Sequence, residues 1–214
     1  SRVSRGLGDV YKRQYKRTVS LNKAIKFGFV RGPVWNFGDE DMKQGIEEFV
    51  KNAQLDIEEL DLGKDFDDAA KAHEIIMNGS IANSLMNYYQ TDKSNLHPFT
   101  VKRIEAGIPV SASDYVSAIE QAKKMEQILK QFFKKYDAII TPAAPGQAPR
   151  DLMNTGNAIF NGYWTMMGVP AISLPFLKGK DDLPIGIQFI TNWKEDLKLL
   201  EICKEVLKKE KLAD

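Results

Sequence analysis

The sequence predicts an α/β protein built on a mixed sheet. Two observations carry this. Short apolar runs of strand length alternate with amphipathic stretches of helical period along residues 24–207. The runs 170–175 and 185–191 are separated by only a short charged connector, so they read as an antiparallel hairpin within an otherwise helix-connected sheet.

The elements follow in order. Ala24–Val30 alternates like a strand and is ended by Gly32-Pro33. Asp39 is placed to cap a helix over about 40–53, with Met42, Ile46, Phe49 and Val50 on one face. Leu55–Leu60 reads as a second strand. A long helix is expected over about 67–89, and its small residues Ala69, Ala72, Gly79 and Ala82 would allow close packing. Residues 90–97 read as a polar loop, and a short helix near 98–106 stops at Gly107. Ser113 is the expected cap of an amphipathic helix running to Lys135, with Tyr115, Ile119, Ala122, Met125, Leu129 and Phe132 as its stripe.

Asp137–Thr141 is a buried-strand pattern that breaks into Pro142-Ala-Ala-Pro-Gly-Gln-Ala-Pro149, a loop by proline content. A helix over about 157–168 precedes the hairpin. Asn192 and Glu195 resemble a capping box before a last helix, with Leu197, Leu200, Cys203 and Leu207 facing inward.

Composition bounds the function. With 43% hydrophobic and 28% charged residues, the 214-residue chain can bury a core. No apolar run reaches the ~20 residues of a membrane span. One cysteine, Cys203, excludes an internal disulfide and fits a reducing compartment, so a cytoplasmic location is expected.

Residues 1–17 hold six basic side chains and one acid; the rest carries 24 basic and 28 acidic residues, a net −4. Nucleic-acid binding is not inferred from this arm. Residues 1–14 look like translated adapter sequence at the end of a gene fragment, and they are set aside as non-native. The domain is then 15–214.

Most catalytic patterns fail. His73-Glu-Ile-Ile-Met77 lacks the second histidine of a helical zinc site, and no metal or cofactor is expected. There is no Gly-x-Ser-x-Gly elbow. Ser20-Leu-Asn-Lys23 matches Ser-x-x-Lys without its companion motifs, so chance explains it better.

Three blocks in order are more specific. They are Tyr136-Asp-Ala-Ile-Ile-Thr-Pro142, Trp164-Thr-Met-Met-Gly-Val-Pro-Ala-Ile-Ser-Leu-Pro175 and Leu183-Pro-Ile-Gly-Ile-Gln-Phe-Ile190. Together they resemble the amidase signature family, over about residues 20–214. The resemblance implies the C-terminal portion of an α/β/α sandwich with a central mixed sheet. It implies a parent enzyme that cleaves carboxylic amides through an acyl-enzyme on a Ser–Ser–Lys triad, with a small-molecule amide as substrate and a homodimeric parent as one arrangement.

No Gly-Gly-Ser-Ser-like run occurs in the chain. The catalytic residues are therefore expected upstream, in an N-terminal half absent from this chain. None is assigned here, and Ser80, Ser84, Ser111 and Ser173 have no motif behind them. The expected substrate-binding residues are Pro142, Thr155, Asn157, Phe160 and Trp164. Phe160 and Trp164, four apart on one helix face, would wall an acyl pocket, with Thr155 and Asn157 as polar contacts.

Two alternatives stay open. One is the amidase-like subunit of a tRNA-dependent amidotransferase, although Trp164-Thr-Met-Met-Gly looks more like the small-amide branch. The other is a non-catalytic α/β ligand-binding module. No nucleic-acid or membrane partner is expected.

Overall fold

A computed structural model describes residues 21, 24–151 and 153–211. The 1–14 tail and the Ser20–Lys23 motif therefore lie outside the described residues, Leu21 apart.

The chain forms β1 (Lys26–Phe29), α1 (Glu40–Asn52), β2 (Asp56–Glu59), α2 (Ala69–Asp92), α3 (Pro98–Gly107), α4 (Ala112–Phe132), β3 (Ala138–Pro142), α5 (Ile159–Met167), β4 (Ala171–Lys178), β5 (Pro184–Ile190) and α6 (Asp196–Lys211). The strands make one sheet in the order β2-β1-β3-β5-β4. β1 pairs in parallel with β2 and β3, because helices connect them. β5 pairs antiparallel with β3 and β4, so the sheet is mixed as expected.

Register assigns the two faces. Phe27, Phe29, Ile140, Phe189 and Ile187 share one face through the pairs Phe29↔Ile140, Ile140↔Phe189 and Pro142↔Ile187. Here Phe49 of α1 stacks on Phe176 of β4 with ring centroids 5.3 Å apart, and Phe176 meets Phe189 edge-on. The opposite face carries Ile139, Thr141, Gln188 and Ile190. On that side α5 supplies Phe160, Tyr163 and Trp164, all buried in the same core as the strands.

Several local expectations need correction. The cap of α4 is Ser111, whose Oγ accepts from the Asp114 N–H at 3.0 Å, not Ser113. The buried stripe keeps the expected Ala122, Met125 and Leu129, with Ala118 in place of Tyr115 and Ile119. Helix α2 runs on to Asp92, into part of the expected polar loop. β4 continues to Lys178 through an irregularity between Leu174 and Leu177, so the connector is shorter than its charge suggests. Pro142 belongs to β3 itself. It lies past Ile140, the last β3 residue paired with β1, so its missing N–H leaves no gap in that ladder.

At the last helix, the Glu195 N–H donates to the Asn192 carbonyl at 3.1 Å, making a turn, and α6 starts only at Asp196. Its buried residues are Leu199, Ile202, Cys203 and Val206, while Leu200 is 40% exposed. Both sets fit one helical period and share Cys203. Periodicity fixed the helix but not which side of it faces the core.

Gly168 ends α5 in the left-handed conformation, φ 67° and ψ 25°. Only Trp193 comes near a Cβ built there, at 3.7 Å, so backbone strain outweighs crowding. Gly168→Val should cost about 1–3 kcal/mol, because a β-branched residue is poorly tolerated at positive φ. Thermal melts of the two proteins check this; an unchanged melting temperature would contradict the strain argument.

Cys203 is a free, buried thiol, and burial pushes it up to about 12. The thiolate is the reactive form, so a disulfide-exchange reagent at neutral pH should label Cys203 only after denaturation. Prompt labelling of the native chain would show that this part of α6 opens.

Candidate functional site

The site is built where the central strand stops. Past Pro142 the backbone stays tied to β5 by one more bond, from the Ala143 N–H to the Gly186 carbonyl at 3.2 Å. Asn161 of α5 donates its Nδ2 to the Ala143 carbonyl at 3.0 Å. Ser173 of β4 lies over Gly186 so closely that a Cβ there would meet Ser173 Oγ at 2.1 Å. A glycine in the β5 block is thus what brings the Ser173 hydroxyl to the strand end.

The proline loop then rises from the sheet and is held from two sides. The Asp39 N–H donates to the Pro145 carbonyl at 2.7 Å. At the β4–β5 turn, Asp181 accepts from Gln147 and from Arg150, the latter at 2.6 Å, and its own N–H donates to Gln147 Oε1 at 3.1 Å. The Arg150 bond, and after it the Gln147 bond, hold the Asp181 carboxyl below its ordinary pKa.

The far wall is the segment entering α5. Three side chains at three-residue intervals fold it by the same device. Asp151 Oδ1 accepts from the Met153 N–H, Asn154 Oδ1 from the Gly156 N–H and Asn157 Oδ1 from the Ile159 N–H, at 2.9, 2.9 and 3.1 Å. These are Asx turns, in which a short polar side chain stands in for a backbone acceptor. Gly156 takes φ 85° between two of them.

Between these walls lies a cleft of about 750 Å³. Its lining is mainly neutral and small: alanine, glycine and proline from the loop, with Gln147, Asn154, Thr155, Asn157, Asn161 and Ser173 as neutral polar groups. Such a surface offers hydrogen bonds to a small polar molecule alongside apolar contact from the alanines and prolines.

Of the five residues expected to bind substrate, Thr155 and Asn157 line this cleft. The other three do not. Pro142 is buried within β3. Phe160 and Trp164 are 0% and 1% exposed and belong to the core. This placement has a simple cause. A four-residue spacing puts two aromatics on one helix face, and here that face packs on the sheet and helices rather than toward the loop.

Sequence reasoning also missed Asp39, Asn161 and Gly186. Asp39 is far away in sequence and was read only as a cap. Gly186 lay inside a recognised block, where its glycine could have signalled a close approach.

Two residues further into the sheet from Ala143 and Gly186, the register partners Thr141 and Gln188 are buried. Thr141 Oγ1, Gln188 Nε2, Tyr163 Oη and Trp164 Nε1 have no hydrogen-bond partner among the described residues. Burial pushes the Tyr163 phenol above its ordinary pKa. The Thr141 hydroxyl and Trp164 ring nitrogen pull the other way without well-formed hydrogen bonds to it.

The chemistry that these residues can perform is limited. Among the described residues, the only serine hydroxyl bonded to an acid or base is Ser111, which meets Asp114 in a helix cap. Ser80 bonds only to Tyr115, at 2.9 Å. No group of three His, Cys, Asp or Glu among the described residues is placed to hold a metal ion. No helix of the described residues is long and apolar enough to cross a membrane.

A central strand ending in a proline loop beside a cleft is the place where open α/β sheets commonly bind ligands. The chain belongs to the amidase family, whose model matches residues 7–200 and so begins inside the 1–14 segment.

Among its relatives is a glutamyl-tRNA(Gln) amidotransferase subunit from Aliarcobacter butzleri (strain RM4018). It is 34% identical over 125 residues, covering 53% of this chain and 28% of that protein. A fatty acid amide hydrolase of Medicago truncatula is 35% identical over 98 residues, covering 40% and 16%. A crystal structure of an amidase superposes with a TM-score of 0.74 at 17% identity, covering 87% of this chain and 45% of that one. This last likeness establishes the fold. In each comparison the chain accounts for less than half of the relative's length.

Proposed function

We propose that this chain is the substrate-side part of an enzyme that cleaves carboxylic amides through an acyl-enzyme. The nucleophile and its base would come from polypeptide outside these 214 residues. The observation that carries the reading is the pairing of family membership with a formed cleft that has no activated nucleophile among the described residues. Amide hydrolysis at neutral pH requires both an activated nucleophile and a stabilised oxyanion. Thr155 and Asn157 would position the amide. The Asn157 carbonyl is committed to its turn, so its Nδ2 is the group available to a substrate carbonyl. Pro142, Phe160 and Trp164 would act beneath the cleft, holding its floor and wall in place.

A second reading is favoured by the likeness to the glutamyl-tRNA(Gln) amidotransferase protein. In that case the same cleft would release ammonia from an amide donor for a partner, rather than hydrolyse a free-standing substrate.

The test is a panel of simple aryl and alkyl amides, glutamine included. Each is assayed with the chain alone and with the N-terminal half of the same parent gene supplied in trans. The chain alone should show no turnover above background. Activity should appear with the added half, on alkyl or aryl amides under the first reading and on glutamine under the second. Turnover by the chain alone, abolished by replacing Ser173 or another of its own serines, would overturn the proposal.

A further inference from the structure

Among the residues that line the cleft, Asp39 alone carries a charge. It occupies the N-cap of α1 with φ −70° and ψ 158°, where a carboxylate ordinarily accepts from the first helical N–H groups. Here its side chain makes no capping bond. It leans instead over Gly146 of the proline loop, where a Cβ would meet Asp39 Oδ2 at 2.2 Å. Together with the bond from the Asp39 N–H to the Pro145 carbonyl, this fixes the carboxylate on the cleft's rim.

Most of the charged side chains nearby have partners other than Asp39. Asp41 accepts from the Lys180 N–H at 2.8 Å, Glu40 pairs with Lys43 at 3.4 Å, and Asp181 holds Arg150. Arg150 and Lys180 line the adjoining hollow on the other side of Asp39. Among the described residues, no cation pairs with Asp39 and nothing donates to its carboxylate.

We propose that Asp39 is a specificity residue of the cleft, favouring small amides that carry an ammonium group and disfavouring those that carry a carboxylate. This rests on the reading of the cleft as the amide site. The physical ground is that every other group lining the cleft is neutral, so Asp39 is the charge nearest a ligand bound there. Because Asp39 is exposed, the preference is modest, roughly two- to fivefold in affinity.

The experiment uses the 214-residue chain and ligand-observed NMR with three amides of equal length: an ω-amino amide, the unsubstituted alkyl amide and an ω-carboxy amide. The ω-amino amide should bind most tightly and the ω-carboxy amide most weakly. The spread should shrink in about 0.5 M salt, where the screening length falls to a few ångströms. It should vanish in Asp39→Asn. The salt titration on the unaltered chain carries the test should that variant fold poorly. Equal binding of all three, or a preference that survives both salt and the substitution, overturns the role of Asp39 while leaving the cleft as an amide site. Binding of none overturns both.

Discussion

Trp164→Ala should destabilise the chain by about 3–5 kcal/mol, the usual cost of deleting a large buried aromatic. Trp164 is 1% exposed and packs against Tyr163, with ring centroids 4.7 Å apart. The ring nitrogen has no partner among the described residues. Part of the loss is therefore offset by removing a buried polar group, which keeps the effect from exceeding that range. Urea denaturation of the two proteins measures it. A variant with unchanged stability but weakened amide binding would show that the indole faces ligand, and would restore the acyl-pocket role that its burial argues against.

A smaller loss, up to about 2 kcal/mol net, is expected for Gly107→Ala, for the opposite reason. A Cβ at Gly107 would meet the Asn78 carbonyl oxygen at 2.0 Å and Ala82 Cβ at 2.7 Å. The first contact is to the backbone of α2, which cannot rotate away as a side chain would. Alanine normally gains about 1 kcal/mol over glycine in a helix. The clash must outweigh this, because separating α2 from α3 disturbs a packed interface and overpacking costs about 1–3 kcal/mol. The net result should be destabilisation, read as a lower denaturant midpoint. A stabilised variant would mean that the two helices stand further apart than described. Gly63→Ala is a useful contrast. Gly63 has φ 80° with nothing within 4 Å of its built Cβ, so its penalty should come from backbone strain alone.

The fold was legible because each strand and helix carries its own local signal. Phe27 and Phe29 alternate, Met42, Ile46 and Phe49 recur at helical steps, and the hairpin is bounded by prolines and glycines. What could not be read was phase. The α6 stripe Leu199, Ile202, Cys203 and Val206 and the expected one at 197, 200, 203 and 207 share Cys203, and both fit a helical period. Only packing against the sheet chooses between them.

The same limit affected the site. Phe160 and Trp164 were rightly placed on one helix face, but the direction of that face is a tertiary property. Thr155 and Asn157 were accessible to sequence reasoning because they sit in the turn-rich approach to α5. Asp39 was not, because it reaches the cleft across more than a hundred intervening residues.

The central claim is that the cleft at the end of β3 takes the amide. It is tested most directly by titrating the isotopically labelled chain with a small amide and following backbone amide shifts. The account predicts perturbations at Ala143–Gly146, Thr155–Asn157, Ser173 and Gly186, with residues around Phe160 and Trp164 moving little. Shifts confined to the separate hollow of about 630 Å³ lined by Ser80, Gly107 and Tyr115, or no shifts at millimolar amide, would contradict it.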